Sequence, residues 1–355
     1  MELKLKSLIG EKNRMNHGLQ IQENYSLRNY NTFNIDVSAA RFVELISDDD
    51  IKKFVSQVKV LQPIYILGGG SNVLFLNDFR GLVVSIATKR IQKIDETESS
   101  IDLECAAGET WNDVVSFCVK NNYYGIENLV LIPGTVGAAP IQNIGAYGVE
   151  IKDILINVEG FDLDSKKLLT FTNKECEFNY RSSIFKTKLN GKFLITKVRV
   201  RLSKEKKYQL NYRALNEKFG NQNIESISIQ DVANYIKQIR LEKLPDHTKL
   251  GNAGSFFKNP EIDIEHLEEL KKQFKGIVYF AAATGNYKIA AGWLIEECGF
   301  KGKRIGNVSC YEKQALVIVN HGGATGNEIK EYAEKIQSAV KDKFRISLIP
   351  EVNII

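Results

Sequence analysis

The sequence predicts an α+β fold with more than one domain. Apolar residues recur at helical spacing in some segments and at every second position in others. The strand segments are short and grouped between helices, without a regular strand–helix alternation. The chain has 355 residues, more than one hydrophobic core usually holds, so about two or three domains are expected.

The composition indicates a soluble globular protein, with 43% hydrophobic and 26% charged residues. The net charge of +5 is spread over mixed runs, which favours a solvated surface over a nucleic-acid stripe but suits an anionic substrate. The five cysteines are far apart, which argues against a zinc knuckle or disulfide framework and favours reduced thiols. The four histidines lack metal-ligand spacing, so no metal site is predicted.

Nothing in the sequence predicts targeting or membrane insertion. No apolar run approaches the ~20 residues of a membrane span, and the first twenty residues lack the apolar core of a signal peptide. We therefore expect a cytoplasmic protein that binds neither membrane nor nucleic acid. Residues 1–20 are interpreted as a weakly ordered extension, and Met15 is a candidate natural start.

Three helices are predicted from their starts. Ser47 is a candidate N-cap before three aspartates, Thr110 and Asp113 resemble a capping box, and Thr325 pairs with Glu328 in the same way. The apolar faces of these helices comprise Ile51, Phe54, Val55 and Val58; Trp111, Val114, Val115 and Cys118; and Ile329, Tyr332, Ala333, Ile336 and Val340.

Extended segments are predicted at 63–67, at 73–76 and at 193–202, where apolar and basic residues alternate. A domain boundary is predicted shortly after Leu202, with residues 203–245 as the transition.

Two glycine-rich loops are the strongest functional signal. The segment 131–150 is built from Gly, Ala, Pro and amides, and 67–72 contains three consecutive glycines between two apolar runs. Neither loop has the Gly-Lys-Ser/Thr of a P-loop or the Gly-x-Gly-x-x-Gly of a dinucleotide site. Such backbones can present amide donors to a diphosphate, so a phosphate-bearing cofactor is expected, with ordinary surface loops as the alternative.

Further motifs accompany the loops in a fixed order. They are Asn31-Thr32-Phe33, Leu67 to Phe75, Ile132 to Glu150, Tyr180 to Lys186, Lys243 to Asp246, Gly251 to Pro260, Ala291 to Ile295 and Pro350 to Val352. With these motifs the chain, from about residue 21 onward, resembles the UDP-N-acetylenolpyruvoylglucosamine reductases (UDP-N-acetylmuramate dehydrogenases), in the subclass with a Tyr-bearing loop insertion.

The resemblance implies an FAD-binding domain of the vanillyl-alcohol-oxidase (PCMH) type, made of two α+β subdomains, and a C-terminal α+β substrate domain. The expected divisions after the extension are 21–88, 89–240 and 241–355. It also implies NADPH as reductant, UDP-N-acetylglucosamine enolpyruvate as substrate and a role in peptidoglycan precursor synthesis. We expect the FAD to be bound non-covalently, because neither glycine loop contains a His or Cys for a covalent link. We also expect the protein to be a monomer.

On the same basis the two glycine loops are the FAD loops. The implied cofactor-binding residues are Gly68, Gly69, Gly70, Ser71, Asn72, Pro133, Gly134, Thr135, Gly137, Ala138, Gln142, Asn143, Gly145, Ala146, Tyr147 and Gly148.

Arg181 aligns with the arginine that holds and polarises the substrate carboxylate. Without the family resemblance, Arg181 is interpreted as an exposed arginine in a surface ion pair. The family chemistry gives it a purpose: hydride addition to C3 of the enolpyruvyl ether leaves negative charge at C2, delocalised onto the carboxylate as an enediolate. A fixed guanidinium can stabilise that charge as it develops.

Ser255 and Glu351 align with the other two catalytic residues. Ser255 is implied as the acid that protonates C2, although a serine in a capped turn is the simpler interpretation. Glu351 is implied to assist the enediolate opposite Arg181, and proximity to the substrate carboxylate favours a protonated donor.

Tyr212, Lys243 and Asn259 align with substrate-binding residues. Tyr212 lies in the loop insertion, and packing of its side chain on its own domain is an equally good explanation. Lys243 carries a positive charge that suits binding of a diphosphate. Asn353 stands where close relatives can carry Arg, so any phosphate contact of that Arg is absent or supplied elsewhere. The sequence ends at Ile355, before the tail that some members of the family carry, so the packing of the C-terminal segment on the first subdomain is not predicted.

Two other classes of function remain open at this point. A flavin oxidase would share the cofactor fold but would not explain Arg181, Ser255 and Glu351 together. A flavin- or nucleotide-sugar-binding module without catalysis would not need all three.

Overall fold

The computed structural model describes residues 19–58, 63–282 and 284–355. The predicted N-terminal extension therefore lies outside the described residues, except for residues 19 and 20. We refer to residues 22–86, 91–243 and 251–344 as the first, second and third modules. The predicted division into domains stays a prediction.

The first module is a four-stranded sheet of order β1-β2-β5-β3, in which β2 and β3 run parallel to β5. Ser47 caps α1 by accepting a hydrogen bond from the Asp50 backbone N–H, as predicted. Strand β3 ends where the first glycine loop begins. The elements are β1 (Gln22–Ser26), β2 (Ser38–Leu45), α1 (Asp48–Gln57), β3 (Ile64–Leu67), β4 (Val73–Leu74) and β5 (Phe79–Ile86).

The second module is an antiparallel sheet of order β11-β10-β12-β7-β6. The predicted strand at 193–202 is β12, one residue longer than expected. The elements are β6 (Ile91–Glu96), β7 (Ser100–Ala106), α2 (Trp111–Lys120), β8 (Gly145–Ala146), β9 (Val149–Glu150), β10 (Leu155–Asp162), β11 (Leu168–Thr172), β12 (Phe193–Ser203), α3 (Arg213–Phe219) and α4 (Ile229–Lys243).

Helix α2 begins where the sequence predicted, but the expected capping box is wrong. The Thr110 side chain makes no cap hydrogen bond, and the Asp113 N–H donates instead to the Thr110 backbone carbonyl at 3.0 Å. The start is fixed from outside the helix, because the Trp111 N–H donates to the carbonyl of Gly134 in the second glycine loop. The predicted apolar face is buried.

The third module combines a four-stranded sheet, β13-β19-β18-β17, with the smaller sheet β14-β16-β15. Thr325 and Glu328 form the predicted capping box of α7, and the predicted apolar face of that helix is buried. The elements are β13 (Gly251–Ser255), β14 (Glu261–Ile262), α5 (Ile264–Gln273), β15 (Tyr279–Ala281), β16 (Tyr287–Ile289), α6 (Ala291–Glu297), β17 (Arg304–Ile305), β18 (Val308–Tyr311), β19 (Gln314–Asn320) and α7 (Gly326–Phe344).

A final strand, β20 (Asn353–Ile354), ties the C-terminal segment to the first module. It pairs in parallel with β4, and the Leu76 N–H donates to the Ile355 carbonyl at 2.9 Å. The printed end of the chain therefore packs directly against the first glycine loop, a contact that the sequence left unpredicted.

Hydrophobic packing also joins the first and third modules. One continuous core contains Leu27, Phe33 and Phe75 of the N-terminal half together with Phe256 and Phe257 of the third module. A separate core fills the second module around Trp111 and the apolar face of α4.

The cysteines are unpaired thiols: Cys105, Cys118, Cys176 and Cys310 are buried and Cys298 is half-buried. Burial raises the pKa of Cys105 to about 12, which makes a nucleophilic role there unfavourable. None of the helices in the described ranges combines the length and apolar character needed to cross a bilayer.

Candidate functional site

The two glycine loops pack directly on each other. A Cβ on Gly69 would lie 2.8 Å from the Gly134 Cα, and a Cβ on Gly68 would lie 2.8 Å from the Ala138 side chain. Gly137 packs in the same way on Ala107. At these positions glycine allows loop-to-loop contact, in addition to the freedom for positive φ that the sequence suggested. Among the glycines of these loops, positive φ occurs at Gly70, Gly134 and Gly148 but not at Gly137 or Gly145.

Gly69→Ala tests this close contact. The new Cβ would force the loops apart by meeting backbone atoms, so we expect a loss of about 1–3 kcal/mol in unfolding free energy and weaker flavin binding. Gly276→Ala is the control, because its Cβ meets nothing within 4 Å and only its φ of +81° opposes alanine. Thermal unfolding and flavin titration of both variants check this, and unchanged flavin affinity in Gly69→Ala would contradict it.

Four adjoining cavities follow the seam between the loops. The outer cavity, about 490 Å³, lies beside Gly134 and Arg240. The loop cavity, about 120 Å³, lies between the loops themselves. The inner cavity, about 290 Å³, lies between β3 and β12, and the arginine cavity, about 160 Å³, contains Arg181 and Arg240.

These cavities share lining residues and therefore form one extended cleft. Asn72 and Gln142 line both the loop and arginine cavities, and Gly68 and Thr135 line both the loop and inner cavities. A long ligand with a phosphate-bearing middle and an aromatic group at each end fits this shape, because glycine backbone lies at the centre and apolar strand residues lie towards one end. The cleft is thus suited to FAD.

Most of the predicted cofactor-binding residues line the cleft. Those that do are Gly68, Gly69, Gly70, Ser71, Asn72, Pro133, Gly134, Thr135, Gly137, Ala138, Gln142 and Gly145.

Asn143, Ala146, Tyr147 and Gly148 line none of these four cavities. The buried Asn143 amide is committed to protein partners: its Nδ2 donates to Glu150 and to the Asn179 carbonyl, and its Oδ1 accepts from the Lys152 N–H. Asn143 therefore braces the second loop.

Arg181, Ser255 and Glu351 all line the arginine cavity. Arg181 Nε lies 3.0 Å from Glu351 Oε1, although the N–H direction does not meet hydrogen-bond geometry. Arg181 Nη2 donates to the Gly145 carbonyl at 2.9 Å. Its backbone has φ of +52°, an uncommon conformation for a side-chain-bearing residue that often marks functional sites.

The backbone holds Ser255 and Glu351 on neighbouring segments. The Glu351 N–H donates to the Phe256 carbonyl at 2.8 Å, and Phe257 forms an isolated bridge with Pro350. An irregularity in the pairing of β13 with β19, next to Gly254 at φ of +68°, precedes Ser255. The Glu351 carboxyl group is paired with Arg181 across the same cavity.

The Asn31-Thr32-Phe33 motif connects β13 to the first glycine loop. The Asn252 N–H donates to the Thr32 carbonyl at 2.9 Å, and the Thr32 N–H donates to the Gly70 carbonyl at 3.0 Å. The strand that ends at Ser255 is therefore fixed relative to the first glycine loop.

Arg240 is a site residue that the sequence interpretation missed. It is half-buried and lines the arginine and outer cavities, its Nη2 donates to the Leu131 carbonyl, and its Nε has no hydrogen-bond partner among the described residues. Burial lowers the pKa of this guanidinium, with Tyr147 opposing the shift. The signal was available: Arg240 follows Val232, Ala233 and Ile236 on the apolar face of α4.

The predicted substrate-binding residues are more dispersed. Tyr212 is 43% exposed and packs edge-on against Tyr147, with ring centroids 5.1 Å apart. Lys243 is exposed at the end of α4. Asn259 Oδ1 accepts the Ala291 N–H at 2.9 Å, at the start of α6. None of the three lines the four cavities of the cleft.

The paired glycine loops and the extended cleft define the class of protein: an FAD-binding enzyme fold of α+β type. Comparison with known families agrees, since residues 39–168 match the FAD binding domain and residues 246–355 match the UDP-N-acetylenolpyruvoylglucosamine reductase C-terminal domain.

Similarity to individual proteins covers nearly the whole chain. UDP-N-acetylenolpyruvoylglucosamine reductase of Shewanella oneidensis is 46% identical over 93% of this chain and 96% of its own length. The enzyme of the same name from Flavobacterium johnsoniae is 42% identical over 95% and 100%. The chain belongs to the UDP-N-acetylenolpyruvoylglucosamine reductase family, and the resemblance drawn from its motifs is confirmed.

A solved structure supports the fold independently. The crystal structure of UDP-N-acetylenolpyruvylglucosamine reductase from Thermus caldophilus superposes with a TM-score of 0.65 at 22% identity, over 95% of this chain and 98% of that one. The predicted fold class and the prediction of FAD as cofactor are confirmed.

Proposed function

We propose that the protein is a cytoplasmic reductase that uses NADPH, through FAD, to convert UDP-N-acetylglucosamine enolpyruvate to UDP-N-acetylmuramate. The observation that carries the proposal is the convergence of Arg181, Ser255 and Glu351, from three distant parts of the sequence, on one cavity beside the FAD loops.

Residues of both glycine loops would hold the cofactor. Gly68–Asn72 and the segment 133–145 offer backbone N–H groups and the side chains of Ser71, Asn72 and Thr135 along the cleft. When bound, FAD supplies hydride transfer between the nicotinamide and the enolpyruvyl carbon C3.

Arg181 would bind the substrate carboxylate. The guanidinium is half-buried and donates a hydrogen bond to the Gly145 carbonyl. It also pairs with Glu351, and the substrate carboxylate would have to replace this contact in order to bind. Hydride addition places further negative charge at C2 and on the carboxylate, and the cation would stabilise this added charge more strongly than it stabilises the singly charged carboxylate of the substrate.

Ser255 would donate its hydroxyl proton to C2, and Glu351 would assist the enediolate. A serine hydroxyl is a weak acid, so it acts only against a strongly basic centre within hydrogen-bond reach. The backbone pairing of Glu351 with Phe256 supports this assignment, because it fixes the spacing of the two side chains. Tyr212, Lys243 and Asn259 are proposed to contact the nucleotide sugar after it binds, and the enzyme is proposed to act as a monomer.

A flavin oxidase is the second candidate function. It would share the cleft, but an alcohol substrate gives no reason for a half-buried Arg–Glu pair beside the flavin loops. Rapid reoxidation of the reduced enzyme by oxygen, without any effect of the enolpyruvyl sugar, would favour the oxidase.

Product analysis tests the proposal. Purified protein is incubated with NADPH and UDP-N-acetylglucosamine enolpyruvate, and the nucleotide sugar is examined by mass spectrometry. We expect a product heavier by two hydrogen atoms, formed with one NADPH consumed per product. NADPH consumption without that product would contradict the proposal.

A further inference from the structure

The inner and loop cavities contain a single charged side chain among the described residues. Lys186 lines the inner cavity, together with Gly68, Thr135 and Gly137 of the FAD loops. The loop cavity has glycine backbone and polar uncharged groups but no charged side chain. A diphosphate carries two negative charges, so its binding here calls for a cation close to the loops.

Lys186 has no carboxylate partner within ion-pair distance in the described part of the chain. Its Nζ donates only to Gln142 Oε1, at 3.3 Å, and that oxygen also accepts from Asn72 Nδ2 at 2.5 Å. Lys186 is therefore connected to the first FAD loop through one neutral amide, and two of its three donor directions remain for a ligand.

The position of Asn353 strengthens this argument. Asn353 lines the same two cavities, and its side chain donates to the Asn72 carbonyl at 2.9 Å, so it supplies no positive charge there. In the inner cavity, which both residues line, the positive charge comes from Lys186.

We propose that Lys186 is a binding residue for the diphosphate of FAD in this protein. The inference rests on the flavin-binding part of the proposed function and is independent of substrate turnover. It assigns Lys186 to the cofactor rather than to the nucleotide sugar, because the cavity that Lys186 lines is bordered by both FAD loops.

Burial lowers the pKa of Lys186 to about 8, with Lys258 and Arg181 adding to the shift and Glu351 opposing it. Tyr65 also lines this cavity, and its own pKa is raised by burial. A bound diphosphate would raise the pKa of Lys186 because it favours the charged amine. FAD affinity should therefore be full below about pH 8 and should weaken as the pH rises through and above that value.

The test is fluorescence titration of flavin-depleted full-length protein with FAD, across pH 7 to 10, on wild type and three variants. Lys186→Gln removes the charge, and Lys186→Arg keeps a cation that does not titrate in this range. Lys188→Gln is the matched control, because Lys188 is exposed two residues away and pairs with Glu177.

We expect Lys186→Gln to weaken FAD binding at pH 7 by roughly 10- to 100-fold, as for one charge-assisted hydrogen bond. The FAD affinity of the Lys186→Gln variant should no longer change near pH 8. Lys186→Arg should retain binding at pH 9 better than wild type, and Lys188→Gln should match wild type throughout.

Wild-type FAD affinity in Lys186→Gln would overturn the proposal. So would a weakened Lys186→Gln that keeps the wild-type pH dependence, since that loss would be structural. If FAD affinity is unchanged and only the KM for the nucleotide sugar rises, Lys186 serves the substrate and the proposal is wrong. If the FAD affinities follow the expected pattern but the wild-type protein does not turn over the enolpyruvyl sugar, only the proposed reductase function would be contradicted.

Discussion

Arg181→Lys is expected to lower turnover by about 10²–10³-fold while FAD binding stays near wild type. Lysine keeps the charge but loses the planar guanidinium, which contacts Glu351 and the Gly145 carbonyl through different nitrogens. The lysine ammonium cannot make both contacts and still face a substrate carboxylate. Steady-state kinetics and flavin titration measure the two quantities separately.

Arg201→Lys is the matched control for this variant. Arg201 also pairs with a carboxylate, Asp102, but its side chain is 60% exposed and lies away from the cleft. Its replacement should leave turnover and flavin binding unchanged. Wild-type turnover in Arg181→Lys would contradict the assignment of Arg181 to the developing charge, and loss of FAD from that variant would indicate a structural role instead.

Ser255→Ala is expected to separate the two half-reactions. Reduction of the flavin by NADPH should proceed at the wild-type rate, because no serine proton is needed for it. Reoxidation by the enolpyruvyl sugar should fall by about 10²–10⁴-fold, the usual contribution of a positioned general acid. Anaerobic stopped-flow absorbance follows each half-reaction in turn.

Ser338→Ala provides a control in the same module, since Ser338 is exposed on α7. It should leave both half-reactions unchanged. Equal slowing of both half-reactions in Ser255→Ala, or no slowing of either, would show that Ser255 is not the proton donor.

Local signals predicted much of the secondary structure. Ser47 and the Thr325–Glu328 pair act within one helical turn, so their sequence pattern contains all the information that the cap requires. Thr110 and Asp113 show the limit of this reasoning. There the second glycine loop fixes the helix start through the Gly134 carbonyl, a contact that no local pattern records.

Long-range pairing explains what the sequence could not predict. The contact of β20 with β4 joins residues from opposite ends of the chain, and only the fold brings them together. Arg181, Ser255 and Glu351 were assigned by family resemblance, whereas their placement on one cavity required the structure.

Arg240 and Lys186 were missed for a related reason. A basic residue is usually exposed, and its sequence neighbours do not reveal which cavity it lines. The apolar face of α4 could have indicated that Arg240 is partly covered. Lys186 lies in an irregular segment, where no helical or strand periodicity gives such an indication.

We expect one flavin site to accept electrons from NADPH and to pass them to an enolpyruvyl sugar. The most direct test is the anaerobic absorbance of the purified protein. NADPH should bleach the oxidised flavin spectrum, and subsequent addition of UDP-N-acetylglucosamine enolpyruvate should restore it without oxygen. A flavin that bleaches with NADPH but regains its colour only when oxygen is admitted would contradict electron transfer to the enolpyruvyl sugar.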